Sequence, residues 1–174
     1  MNKFKSLSGV IRADSADLRT VDDMGDAYIA TLKLVESAGM HLAHSHIKDQ
    51  PILTNWVQVQ EYCINRLAHQ PIEHFIILCL DNQNRLIAEE TLSKGTVDQT
   101  PVYVREVVNA ALKHHAQSSI LVHNHPSGEA EPSRADIDMT LAIQDALNIM
   151  SIRLHDHLIV AGKHCVSLKN LGYF

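Results

Sequence analysis

The chain has 174 residues, 45% of them hydrophobic and 20% charged, a balance typical of a soluble globular protein with one sizeable core and a small appendage. Its net charge of −5 argues against a broad basic surface for nucleic acid or an anionic membrane. No apolar stretch approaches the roughly 20 residues of a membrane span, and the N-terminal sequence MNKFKSLSGVIRAD is too polar for a signal peptide. Cys63, Cys79 and Cys165 form no CxxC pair, which favours reduced core thiols and predicts a cytoplasmic protein.

The first segment, residues 1–48, is predicted to be small and helical. Ser15 is a candidate N-cap for a short helix through SADLRTV, because a serine hydroxyl accepts an unpaired backbone N–H. A second helix is indicated by apolar residues at helical spacing, namely Ile29, Leu32, Val35 and Ala38. Six Lys or Arg residues and six Asp or Glu residues leave this segment neutral.

Residues 52–174 follow a linker around Pro51 and alternate between predicted helices and strands. The predicted helices are TNWVQVQEYCINRLAHQ, VYVREVVNAALKHHA, with Leu112 on its buried face, and SRADIDMTLAIQDALNIM, with Leu141 facing the core. The predicted strands are EHFIILCLD, its hairpin partner RLIAEETLS, then SSILVHNH, IRLHDHLIVAG and HCVSL. Strands that alternate with helices predict an α/β layer domain.

The stretch LVHNHPSGEAEPSRAD carries the strongest chemical pattern. Because side chains alternate along a strand, His123 and His125 are predicted to point the same way. Asp136 lies at the start of the next helix, after a loop long enough to fold back. Two His and one Asp leave one coordination position for water, which is typical of catalytic rather than structural zinc. Such a metal lowers the pKa of its water towards neutrality.

Hydrolysis at such a site also needs a carboxylate to take the proton of the water and a donor to stabilise an oxyanion. Ser133 precedes Asp136 by three residues and is placed for the second role. The alternative is structural, since Ser133 and Asp136 have the spacing of a helix capping box, although a serine cap and a metal ligand are compatible. The two histidines could likewise be polar residues at a strand boundary.

The pattern H-x-H, seven residues, S, two residues, D resembles the metal signature of JAMM (MPN-plus) metallopeptidases. The sequences HNHPSG, PSRAD, LHDHLIV and SKGT resemble the RadC family of bacterial JAMM-domain proteins, and the resemblance covers nearly the whole chain. It implies a JAMM/MPN fold, similar to cytidine deaminases, with a mixed sheet flanked by helices over residues 52–174. It also implies that residues 1–48 are a partial, degenerate helix–hairpin–helix region.

The resemblance implies roles for five residues. Zn²⁺ would be held by His123, His125 and Asp136, Glu73 just before HFIILCLD would be the general base, and Ser133 would help to hold the tetrahedral intermediate. Three other carboxylates are rivals for the base. Glu106 is expected to pair with Arg105 or another charge, whereas Glu129 and Glu131 are expected to face solvent in the loop.

The HDH sequence at 155–157 is the remaining candidate. His155 and His157 are predicted to share a strand face, which invites a second metal. The favoured interpretation is a supporting role, in which Asp156 or His157 forms hydrogen bonds behind the ligands or in the core.

The resulting functional hypothesis is a zinc-dependent metallopeptidase or isopeptidase acting on a peptide or protein. The alternatives are a DNA-repair-associated nucleic-acid-binding protein and a partner-binding scaffold. In the hairpin DDMGD, Asp23 stands where a glycine would expose backbone N–H groups to phosphate, and Asp22 and Asp26 add repulsion, so direct DNA binding is expected to be weak. Because all five expected site residues are present, the scaffold is the less favoured alternative.

Overall fold

The computed structural model describes residues 3–4, 6–48, 51–95 and 103–174. The chain divides into two compact units, Met1–Ser45 and His46–Phe174. In the described residues, no helix is both long enough and apolar enough to cross a membrane.

The first unit is helical, with α1 at Leu7–Arg12, α2 at Ser15–Arg19 and the start of α3, which runs over Asp26–Lys48. The N-cap of α2 is Asp14, whose carboxylate accepts the N–H of Ala16 at 2.7 Å. The prediction that Ser15 is the N-cap is therefore wrong by one residue, because the Asp14 carboxylate accepts a backbone N–H of the first helical turn. Asp23, in the turn before α3, has a φ of 62°, a conformation that aspartate tolerates better than most residues.

The stripe predicted on α3 is only half buried. Ile29 is buried and Leu32 is partly buried, whereas Ala38 is exposed and Val35 is 50% exposed. Lys33 and Glu36, which were not part of the predicted stripe, are also partly buried and form an ion pair at 2.8 Å. Helical spacing alone identified the helix but not the exact edge of its inner face.

The described residues of the second unit form eight longer elements besides a 3-10 turn at Ile52–Thr54. They are α4 (Trp56–Leu67), β1 (His74–Leu80), β2 (Leu86–Lys94), α5 (Val104–Lys113), β3 (Ser118–Asn124), α6 (Arg134–Ile149), β4 (Arg153–Ala161) and β5 (His164–Ser167). The strands form one five-stranded sheet in the order β2-β1-β3-β4-β5. β3 and β4 are parallel and the other neighbours antiparallel, so the predicted mixed sheet flanked by helices is confirmed.

The central strands β1 and β3 are buried on both faces, which explains their continuous apolar sequence. One core cluster combines β1, β3 and β4 with α5 and α6, and includes Phe75, Ile77, Val107, Leu121, Ile143 and Leu147. The register places Phe75 opposite His123, so the end of β3 that carries the histidine lies against the start of β1.

Two leucines predicted to face the core are exposed. Leu112 on α5 is 48% exposed and Leu141 on α6 is 38% exposed. The smaller residues Ala110, Ala111 and Thr140 occupy the inner faces instead. A count of apolar positions therefore does not reveal which face of each helix is buried.

Candidate metal centre

The end of β3 brings the two histidines together. Although the strand ends at Asn124, the N–H of His125 still bonds to the carbonyl of Val160 at 2.8 Å, so the extended backbone continues for one residue. His123 and His125 therefore project to the same side, and their Nε2 atoms lie 3.0 Å apart. His123 is buried, and His125 is partly exposed.

Asp136 reaches the same point from the first turn of α6. Its Oδ1 lies 3.4 Å from Nε2 of His123, and its Oδ2 lies 3.6 Å from Nε2 of His125. Ser133 caps the helix: its Oγ accepts the N–H of Asp136 at 3.1 Å, while its own N–H and Oγ–H donate to Oδ2 at 2.8 and 2.6 Å. The capping box is thus present, and it also holds the carboxylate that faces the two histidines.

The three side chains have the chemistry and spacing of a metal site. Their ligand atoms all lie within 4.8 Å of one another, the only such group of three in the part of the chain that the structure describes. In a tetrahedral zinc site with bonds of about 2.0–2.2 Å, neighbouring ligand atoms lie about 3.3 Å apart. The two Nε2 atoms lie 3.0 Å apart, and the carboxylate of Asp136 approaches them through different oxygens, Oδ1 at 3.4 Å from His123 and Oδ2 at 3.6 Å from His125. These separations are close to that value, so the donor set fits a small divalent ion such as zinc.

The loop before α6 orients His125. Its Nδ1 lies 2.7 Å from the carbonyl oxygen of Glu129, which can only accept, so Nδ1–H is the donor. In the neutral ring, Nε2 then presents a lone pair to Asp136 and His123. A carbonyl behind a metal-binding histidine has this orienting effect in known sites.

The charges of the site follow from burial and from the neighbouring carboxylates. The pKa of His125 is raised, mainly by the Asp136 carboxylate and to a smaller extent by the Glu129 carbonyl and the charge of Glu73. Burial lowers the pKa of His123 to about 4. Burial alone would raise the pKa of Asp136. The contacts of this carboxylate with His125, His123 and Ser133 outweigh the effect of burial, so the pKa is lowered. At neutral pH, His123 is therefore neutral and Asp136 is ionised, which are the protonation states that metal ligands need.

Glu73, the predicted base, immediately precedes β1 at the edge that carries the histidines. It is partly buried, its carbonyl accepts the N–H of Gly95 at 2.9 Å, and its carboxylate is close enough to His125 to raise the pKa of that ring. Asn124 fixes this segment to β3: its Oδ1 accepts the N–H of His74 at 2.8 Å, and its Nδ2 donates to the carbonyl of Ile72 at 3.1 Å. The backbone on either side of Glu73 is therefore tied to the strand that carries the ligands.

The rival carboxylates have other surroundings. Glu106 pairs with Arg105 at 3.1 Å on the exposed surface of α5, as predicted. Glu129 and Glu131 are exposed loop residues, also as predicted, although the backbone carbonyl of Glu129 has the role at His125 that the sequence did not indicate.

The HDH sequence lies on β4, where the register with β3 shifts by one residue between Ser119 and Ile120. Nε2 of His155 bonds to Oδ1 of Asn84 at 2.7 Å, whereas Nε2 of His157 lies 2.8 Å from Nδ1 of His123. The two rings therefore contact different groups, and neither belongs to the one group of metal-ligand atoms found in the described residues. These contacts agree with the supporting role that the sequence favoured over a second metal.

Asp156 has the supporting role that the sequence favoured. Its Oδ1 accepts the N–H of His157 at 2.7 Å, and its Oδ2 accepts the hydroxyl of Ser167 at 2.6 Å. Burial raises the pKa of this carboxyl, and the hydrogen bonds from Ser167 and the backbone partly offset that effect. Asp156 thereby ties β4 to β5 and to the backbone that carries His157.

Sequence reasoning missed Asn124 and Thr140. Period-two alternation predicts that Asn124 lies opposite the two histidines, but it does not reveal that this side chain binds the backbone of His74. Thr140 lies four residues after Asp136 on α6, which places it on the same helix face. That spacing was the signal available in the sequence.

The mixed sheet, its flanking helices and the His-His-Asp group at the end of β3 define a JAB-type domain, the JAMM/MPN class of folds. The family model described as a RadC-like JAB domain matches residues 53–173. A curated relative, the UPF0758 protein of Rhodobacter capsulatus, is 45% identical over 172 residues, covering 99% of this chain and 80% of that protein. The chain belongs to the RadC family.

Proposed function

We propose that this protein is a zinc-dependent hydrolase that cuts amide bonds in peptide or protein substrates, isopeptide bonds included. The observation that carries the proposal is the convergence of His123, His125 and Asp136 next to the charge of Glu73. Three protein ligands leave a coordination position for water or substrate, as in catalytic zinc sites. When bound, zinc would supply Lewis acidity to polarise the substrate carbonyl and activate water.

The side chains of the chain itself have separate tasks in this reaction. Glu73 takes the proton of the attacking water and later delivers it to the leaving amine, which is the general acid–base role of a carboxylate. Asp136 supplies a negative charge, and Ser133 holds that carboxylate at 2.6 and 2.8 Å. Asn124 keeps the segment that carries Glu73 against β3 through the N–H of His74.

Ser133 has a second proposed task at the oxyanion. In this structure its hydroxyl hydrogen is directed to Oδ2 of Asp136. To stabilise an oxyanion, the hydroxyl would turn from that oxygen to the substrate, while the N–H of Ser133 continues to hold Asp136. The capping role and the catalytic role are therefore compatible.

A peptide-library cleavage screen tests the proposal. The zinc-loaded wild type is compared with Glu73→Gln and with Glu106→Gln, a matched control because Glu106 pairs with Arg105 on the surface. We expect cleavage by the wild type and the control, and a loss of about 100-fold or more for Glu73→Gln with zinc content unchanged. Failure of the zinc-loaded wild type to cleave any peptide would contradict the proposal, as would full activity of Glu73→Gln.

A further inference from the structure

His157 lies directly behind His123, and the two rings share a hydrogen. Nδ1 of His123 is 2.8 Å from Nε2 of His157, and both rings are buried. If the hydrogen belongs to His123, the Nε2 atom of His123 has a lone pair for a metal. If it belongs to His157, His123 carries its hydrogen on Nε2, where that hydrogen blocks metal binding.

Thr140 decides between these two arrangements. Its Oγ1 lies 2.5 Å from the backbone carbonyl oxygen of Asp136, which has no hydrogen, so the hydroxyl must donate there. The same Oγ1 lies 2.6 Å from Nδ1 of His157 and has only a lone pair to offer that nitrogen. Nδ1 of His157 therefore carries the hydrogen and donates to Thr140.

The position of the hydrogen on His157 in turn determines its position on His123. A neutral imidazole carries one hydrogen. Both rings are buried, and the groups at the two nitrogens of His157 are a hydroxyl and an imidazole rather than a carboxylate, so the neutral ring is the form that these contacts suit. With its hydrogen on Nδ1, His157 has an acceptor at Nε2, so Nδ1–H of His123 donates to it. The Nε2 lone pair of His123 is left facing His125 and Asp136.

Packing holds both rings in this arrangement. Phe75 stacks on His123, with ring centres 5.9 Å apart and an angle of 11° between the planes. The same phenyl ring meets His157 edge-on at 5.4 Å. Phe75, which belongs to the core, therefore packs against both imidazoles.

We propose that His157 is a positioning residue that fixes His123 as its Nδ1–H tautomer, with Thr140 and the backbone carbonyl of Asp136 setting the direction. This inference rests on the proposed metal centre and deepens it. Each histidine ligand is then oriented by a backbone carbonyl, His125 directly by Glu129 and His123 through Thr140 and His157. Asp136, which supplies the carboxylate ligand, thus also orients His123 through its backbone carbonyl.

Long-range ¹H–¹⁵N spectra of the metal-free protein read the tautomers directly, without zinc or substrate. We expect His123 and His157 to carry their hydrogens on Nδ1. Thr140→Val removes the acceptor at Nδ1 of His157, so the hydrogen moves to Nε2 of His157 and His123 becomes the Nε2–H form. Zinc affinity should then fall by about 10- to 100-fold. Thr140→Ser keeps a hydroxyl and should restore both the tautomer and the affinity.

A wild-type spectrum that shows His123 as the Nε2–H tautomer would overturn the proposal. So would Thr140→Val with the tautomer and zinc affinity of the wild type. Thermal melting shows whether Thr140→Val is folded, and the wild-type spectrum decides the question if it is not. Because the spectrum needs neither metal nor substrate, the expected tautomer in a protein that cleaves nothing would retain this inference while the proposed hydrolase function fails.

Discussion

Asn124 accepts the backbone N–H of His74 at 2.8 Å, a bond between residues 50 positions apart in the sequence. Asn124 stands between the two histidine ligands, and His74 directly follows Glu73. A single side chain therefore joins the strand that carries the metal ligands to the segment that carries the proposed base. Nδ2 of Asn124 also donates to the carbonyl of Ile72, which ties the backbone on both sides of Glu73.

Asn124→Ala should weaken both the fold and the reaction. The buried N–H of His74 loses its acceptor, which costs about 2 kcal/mol of unfolding free energy. Because the ligands are untouched, we expect zinc content to be retained while turnover falls. Urea unfolding, metal analysis and kinetics measure the three quantities, with the exposed Asn148→Ala as the control. Wild-type stability and turnover in Asn124→Ala would show that the contact has no such role.

Ser133→Ala tests the two proposed roles of Ser133, which are capping α6 and stabilising the oxyanion. The loss of the N-cap hydroxyl should lower the unfolding free energy by about 1 kcal/mol, and Ser133→Thr should recover most of it. If the hydroxyl also serves the oxyanion, kcat should fall further in Ser133→Ala than the change in zinc affinity explains. Parallel changes in kcat and zinc affinity would limit the hydroxyl to holding Asp136.

The stability of the metal-free protein should depend on the protonation of His123. Its folded-state pKa of about 4 lies below the ordinary 6.5, so the unfolded chain binds a proton that the folded chain does not. Stability therefore falls as the pH drops through this range, by about 2 kcal/mol between pH 7 and pH 5. His157, whose pKa burial also lowers, acts in the same direction, whereas His125, whose pKa is raised, opposes it.

Urea unfolding in the presence of a chelator measures this dependence at pH 7 and pH 5. The variant His123→Asn lacks the titrating ring and should show a smaller loss on acidification. Equal stability of the wild type at the two pH values would contradict the burial of a neutral His123.

Local periodicity was enough to predict the strands and to place the two histidines on one side of β3, whereas the mixed sheet was implied by the family resemblance. The alternation of side chains and the Gly/Pro-rich loop before α6 are features of neighbouring residues, which a sequence displays directly. The capping-box spacing of Ser133 and Asp136 is equally local, and the structure contains that box. The choice of Glu73 came from the family resemblance, because nothing local sets that residue apart from other carboxylates.

Local sequence patterns could not predict which residues on different strands contact one another. The bond between His123 and His157 depends on the parallel register of β3 and β4, and the irregularity between Ser119 and Ile120 changes which residues meet. The exposure of Leu112 and Leu141 depends on which face of α5 and of α6 is buried in the folded protein. These features arise from tertiary packing, which overrides the simple count of apolar positions.

Metal analysis of the purified protein tests the central claim most directly. We expect about one zinc per chain in the wild type and in His164→Ala, a control at an exposed histidine on β5. His123→Ala removes one of three ligands and should contain almost no zinc after the same dialysis. Equal zinc content in His123→Ala and the wild type would contradict the assignment of the His123, His125 and Asp136 centre.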